Sequence, residues 1–97
     1  MKITINYDFT QKAVMGNNEV FVMPDGRTLG EFLAIVDKQI VKVCKQHSIP
    51  DDKLKILNGT ELNGCMLMVN RKAPENIMTD RLNDGDIIDL VYGFCGG

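Results

Sequence analysis

The sequence predicts an α+β roll, in which one long helix lies across a mixed β-sheet within a single domain spanning residues 1–97. Three observations carry that expectation. Both ends of the chain hold runs with strand character, a single long amphipathic stripe in the middle opens on a capping box, and the helix between strands makes at least one parallel pairing the expected geometry.

Residues 2–9 place Ile3, Ile5, Tyr7 and Phe9 on one face and Lys2, Thr4, Asn6 and Asp8 on the other, which is a strand with one wet face. Gly16-Asn17-Asn18 then marks a turn, and Glu19 to Met23 is rich in β-favouring residues, so the two runs are expected to form a hairpin. Its loop is long, and Ala13, Val14 and Met15 at the tip are read either as continued strand pairing or as an exposed apolar surface. Pro24-Asp25-Gly26 breaks the second strand. Thr28 and Glu31 have capping-box spacing, and Leu29, Phe32, Leu33, Val36, Ile40, Val43 and Cys44 recur at three- and four-residue steps. Asp37, Lys38, Lys42 and Lys45 are assigned to the solvent side of this helix, and Pro50 lies just beyond its end.

From Ile49 to Gly64 the pattern weakens to a connection punctuated by Asn58-Gly59 and Asn63-Gly64. Cys65 to Val69 reads as a short strand, Asn70 to Pro74 as a turn, Ile77-Met78 as a brief edge strand, Leu82 to Asp86 as a turn and Ile87 to Tyr92 as the final strand. After it comes Gly93-Phe94-Cys95-Gly96-Gly97, an ending that no strand or core requires and that is expected to be an exposed Gly-Gly tail.

The net charge of -2 and pI near 5.2, with scattered basic residues, argue against nucleic acid as a partner. The alternating N-terminus shows no signal peptide and no run approaches membrane-spanning length, so no membrane partner is expected and the cytoplasm is the expected location. Cys44, Cys65 and Cys95 form no CxxC pair and suit free thiols in a reducing compartment. Cys44 and His47, three residues apart on the helix, have no further His or Cys nearby, so no metal site is expected.

Several segments together resemble the β-grasp sulfur carriers, the ubiquitin-like family that includes the thiamine-thiazole sulfur carrier and the small subunit of molybdopterin synthase. Met68-Val69-Asn70-Arg71 is similar to the family's Val-Asn-Gly strand end, and Leu82-Asn83-Asp84-Gly85-Asp86 to its Leu-x-x-Gly-Asp turn. Thr28 to Leu33 resembles its helix start, and Gly96-Gly97 its terminal diglycine. The matches fall in family order. Arg71 stands where a glycine is usual, the stretch from Ile49 to Gly64 is longer than in the shortest carriers, and a cysteine directly precedes the diglycine.

The resemblance implies a ubiquitin-like β-grasp roll and a protein co-substrate with no catalytic residues of its own. A ubiquitin-activating-type adenylating enzyme would use ATP to activate the Gly97 carboxylate, which then becomes a thiocarboxylate whose sulfur passes to a sulfur-accepting synthase. Molybdopterin or tungstopterin is the favoured product and thiamine thiazole the next. The alternatives are a ubiquitin-like modifier conjugated through Gly97 and a non-covalent β-grasp interaction domain. Glycine at 96 and 97 suits passage of an extended tail through a narrow channel. Cys95 is read either as a tolerated tail residue or as an auxiliary thiol forming a persulfide or an acyl disulfide. Phe94, Tyr92 and Phe21 are the expected partner contacts, and Asp84, Gly85 and Asp86 are read as turn residues of the fold.

Overall fold

The alternation at the N-terminus forms β1 (Lys2–Asn6), with Ile3 and Ile5 fully buried and the intervening side chains turned outward. This computed structural model describes residues 1–92, in the order β1, α1 (Phe9–Met15), β2 (Asn18–Val22), α2 (Leu29–Gln46), β3 (Leu57–Asn58), β4 (Glu61–Leu62), β5 (Met66–Val69) and β6 (Ile87–Val91). The main sheet has the order β2-β1-β6-β5, and β3 and β4 make a separate small hairpin. The neighbours β1–β2 and β5–β6 are antiparallel, while β1 and β6 run parallel with Thr4 opposite Ile87 and Asn6 opposite Asp89. The mixed sheet and the single long helix expected from the sequence are therefore present.

Helix α2 begins where the capping box places it. Thr28 Oγ1 accepts from the Glu31 amide, and the Glu31 carboxylate accepts from the Thr28 amide at 3.1 Å. Arg27 lies 2.6 Å from the same carboxylate and lowers its pKa. The stripe of Leu29, Phe32, Leu33, Val36, Ile40 and Cys44 is fully buried against Ile3, Ile5, Ile88 and Leu90 of the sheet.

Four local expectations are corrected. Residues 9–15 are helix α1 and not hairpin loop: Gln11, Val14 and Met15 turn toward the core at three- and four-residue spacing, and Gln11 Nε2 donates to the Leu54 carbonyl at 2.6 Å. Phe9 consequently leaves the buried face of β1 and is exposed. Asp37 is not on the solvent side. It is buried and its carboxylate accepts from the Ile56 and Leu57 amides at 2.7 and 3.0 Å, which ties the 49–64 connection to α2. Burial raises its pKa, and the two amides pull it back toward the ionised form. Ile77 and Met78 form a turn and not an edge strand, because Asn76 Oδ1 takes the Met78 and Thr79 amides at 2.9 and 3.1 Å.

That turn presses on the first turn of α2. A Cβ at Gly30 would lie 2.7 Å from the Met78 carbonyl oxygen, so glycine is required here by space. Between β5 and the 70–74 turn, Val69 and Lys72 exchange backbone hydrogen bonds at 2.8 and 3.1 Å around Asn70 and Arg71, both with positive φ (51° and 68°). Such a two-residue turn favours glycine at its second position, which accounts for the glycine that Arg71 replaces in the family pattern.

Two stability outcomes follow from these contacts. Gly30→Ala gains ~1 kcal/mol of helix propensity but forces α2 off the 77–79 turn, for a net loss of about 1–2 kcal/mol in chemical denaturation; a net gain would show that this turn yields freely. Asp37→Ala strands two backbone amides and lowers the unfolding free energy by about 2–4 kcal/mol, whereas a loss within error of zero would mean that water replaces the carboxylate.

Candidate functional site

β6 is held at its entry and at its exit. The turn at residues 82–86 aligns the strand: the Lys2 amide donates to Asp84 Oδ1 at 2.7 Å, Gly85 N to the Lys2 carbonyl at 2.9 Å, and Thr4 N to the Asp86 carbonyl at 3.1 Å. Gly85 has φ 86°, the left-handed conformation that glycine adopts without steric cost. Asp86 is buried, with its carboxylate accepting from the Asn83 amide and from Asn70 Nδ2, both at 2.8 Å. Asn70 Oδ1 in turn accepts from the Ile87 amide at 2.9 Å. Asp84, Gly85 and Asp86 thus act as fold residues that lay β6 against β1.

At its far end β6 stops at Val91, and Tyr92 is the last described residue. Its amide donates to Asp8 Oδ2 at 2.9 Å. The Tyr92 ring is half-buried, and its hydroxyl lies buried beside the Cys65 thiol and Gln11; among the described residues neither that hydroxyl nor Gln11 Oε1 completes a hydrogen bond. Burial pushes both the Tyr92 hydroxyl and the Cys65 thiol up in pKa, which keeps the thiol protonated and unreactive. Cys44 is buried and raised for the same reason, so both thiols read as core residues. An open, mostly apolar groove of about 930 Å³ runs beside Tyr92, lined by Phe9, Ala13, Val14, Ile49 and Leu54 among others.

Gly97, Gly96, Cys95 and Phe94 lie outside the described residues, so the structure places the root of the expected tail and not its tip. Of the expected partner contacts, Tyr92 stands at that root with its hydroxyl turned inward. Phe21 is corrected: strand parity points it at α2, where its ring meets that of Phe32 edge-on with centroids 5.5 Å apart. The outward residues of that strand are Val20 and Val22, 56% and 77% exposed. Val20 lies opposite Thr4, and Thr4 opposite Ile87, so two exposed apolar side chains flank a threonine in one row across three strands on the outer face of the sheet. Met66, opposite Val91, extends that face toward the tail root. The sequence missed Val20, Val22 and Ile87 as a surface because alternation alone does not say which face meets the helix.

Among the described residues no three His, Cys, Asp or Glu side chains group as metal ligands, and no helix is long and apolar enough to cross a membrane. Among the described residues, β6 is held at both ends, the outer face of the sheet carries exposed apolar side chains among polar ones, and Tyr92 is held through its amide by Asp8.

No family model and no curated protein matches the chain by sequence. Solved structures do match by shape. The Haloferax volcanii HVO 2177 protein superposes with a TM-score of 0.73 at 17% identity, over 100% of this chain and 87% of that one. SAMP1 from Haloferax volcanii gives 0.68 at 16% identity, with both chains covered completely. A protein–protein complex of subunits 1 and 2 of molybdopterin-converting factor from Helicobacter pylori gives 0.59 at 22% identity, again over the whole of both chains. The likeness agrees with the resemblance read from the sequence at the level of architecture: this chain has the ubiquitin-like β-grasp fold.

Proposed function

We propose that the protein is a sulfur carrier whose C-terminal Gly97 is adenylated and then converted to a thiocarboxylate for cofactor biosynthesis, with molybdopterin or tungstopterin favoured over thiamine thiazole. The observation that carries this reading is the placement of β6: pinned beside β1 by the 82–86 turn and held at Tyr92 by Asp8, it stops just before Gly93-Phe94-Cys95-Gly96-Gly97. In this chemistry a Gly97 carboxylate oxygen attacks the α-phosphorus of ATP bound to the activating partner and releases pyrophosphate. Hydrosulfide delivered by the sulfur source then adds to the acyl carbon and expels AMP, leaving the thiocarboxylate. The carrier contributes no acid, base or metal to either step; its part is to bring an unhindered carbonyl into the partner's site.

The Helicobacter pylori subunit 1 stands in a complex with subunit 2. The exposed apolar side chains of Val20, Val22, Ile87 and Met66 make the outer sheet face the surface suited to a sulfur-accepting synthase. Met66, opposite Val91, brings this face to the tail root, while Ile87, Val20 and Val22 lie toward the other end of the sheet.

Two measurements check this reading. Incubation with the ubiquitin-activating-type enzyme of the same organism, ATP and a sulfur source gives the intact-mass increase of one oxygen replaced by sulfur. That increase disappears in a Gly97→Val variant; a Gly-Gly remnant on target lysines in place of thiocarboxylate would favour the modifier reading instead. Separately, Val20→Lys and Ile87→Lys, both at exposed positions, leave the fold intact and weaken binding to the synthase by about tenfold or more. Unchanged affinity in titration calorimetry would move the interface off this face.

A further inference from the structure

Asp8 immediately precedes α1, the position from which an aspartate ordinarily accepts a hydrogen bond from its own helix. Its side chain makes no such bond. Asp8 Oδ2 instead accepts from the Tyr92 amide at 2.9 Å, across 84 positions of chain. The neighbouring backbone is strained: Phe9 opens α1 at φ 49°, a left-handed conformation that costs a non-glycine residue ~1–2 kcal/mol. The Phe9 ring is 69% exposed, so burial of that ring does not offset the strain. A strained residue beside a diverted helix cap points to a constraint imposed from elsewhere. Tyr92 supplies it. The same residue has its hydroxyl buried next to Gln11 of α1 and to Cys65, so α1 and the start of β5 enclose Tyr92 from the side while Asp8 holds its backbone.

We propose that Asp8 is a positioning residue for the C-terminal tail. Its carboxylate fixes the Tyr92 backbone, and with it the point and direction from which residues 93–97 are offered to the activating enzyme. This role rests on the sulfur-carrier reading and adds to it a residue at the opposite end of the sequence. Among the described residues, Asp8 holds the tail only at its root, Tyr92. By fixing the root in advance it reduces the conformational entropy that the chain must lose on threading into a narrow channel, so its effect falls on productive binding and not on the chemical steps.

The test compares Asp8→Ala with Asp8→Asn, since asparagine keeps one carbonyl oxygen that can accept from the Tyr92 amide. Amide hydrogen exchange reads the bond, and steady-state adenylation by the organism's ubiquitin-activating-type enzyme, with the carrier as the varied substrate, reads its consequence. In Asp8→Ala the Tyr92 amide exchanges about tenfold faster while the central β1 and β6 amides are unchanged. The KM for the carrier rises about fivefold with kcat within about twofold of wild type. Asp8→Asn restores KM to within about twofold of wild type. A KM for Asp8→Ala equal to that of wild type overturns the proposal, whatever the exchange rate. So does an Asp8→Asn variant as impaired as Asp8→Ala, because the effect then follows the charge met by the enzyme and not the bond to Tyr92. If wild-type carrier is not adenylated at all, the sulfur-carrier reading fails and the positioning role with it, while Tyr92 exchange still reports on the bond.

Discussion

The parallel pairing of β1 with β6 is the constraint on which the rest of the structure depends. It sets the first strand of the chain beside the last described one at the middle of the sheet, with Thr4 opposite Ile87 and Asn6 opposite Asp89. A parallel pair needs a long crossover, and the residues between the two strands supply it: α2 crosses the inner face and the 49–86 connections return the chain to the far end of β1. The register is reinforced at both ends, by the 82–86 turn gripping Lys2 and Thr4 and by Asp8 gripping Tyr92. Anything that slides β6 along β1 by one residue would turn Ile88 and Leu90 out of the core and displace the tail root in the same movement.

The two faces of the sheet divide the work. The inner face, with Ile3, Ile5, Ile88 and Leu90 against the α2 stripe, contains the burial that keeps β6 in place. Two compact devices tie the long connections to that layer: the Asp37 carboxylate holds the start of β3, and Gly30 lets the 77–79 turn rest against α2. The outer face is left apolar at Val20, Val22, Ile87 and Met66. Of these, Met66 lies opposite Val91 beside the tail root, and Ile87 marks the other end of β6.

Much of this was legible in the sequence because it depends on local chemistry or on long periodic runs. The capping box fixed where α2 begins, the apolar stripe identified its buried face, and the Gly-Asp turn marked the entry to β6. The parts that were not legible depend on tertiary partners. Helix α1 spans seven residues, too few for a periodic signal, and its buried Gln11 looks polar until Leu54 is found as its acceptor. Asp37 sits among lysines in sequence and reads as solvent-facing until the Ile56 and Leu57 amides come to meet it. The β2 run has apolar residues on both faces, so parity did not say that Phe21 faces Phe32 and Val20 faces outward. Asp8 carried one usable signal, a cap-type residue before Thr10-Gln11-Lys12, but nothing local says that its carboxylate serves Tyr92.

If the fold serves to present the C-terminal carboxylate, as proposed, truncation in the source organism abolishes its function. A chain ending at Cys95 keeps every contact described for residues 1–92, so its β1 and β6 amides should exchange as slowly as in the full protein. Cells carrying this truncated chain are then expected to show the same metabolic defect as cells lacking the protein altogether. Full function of the truncated chain would contradict it and leave the protein as a non-covalent binding module.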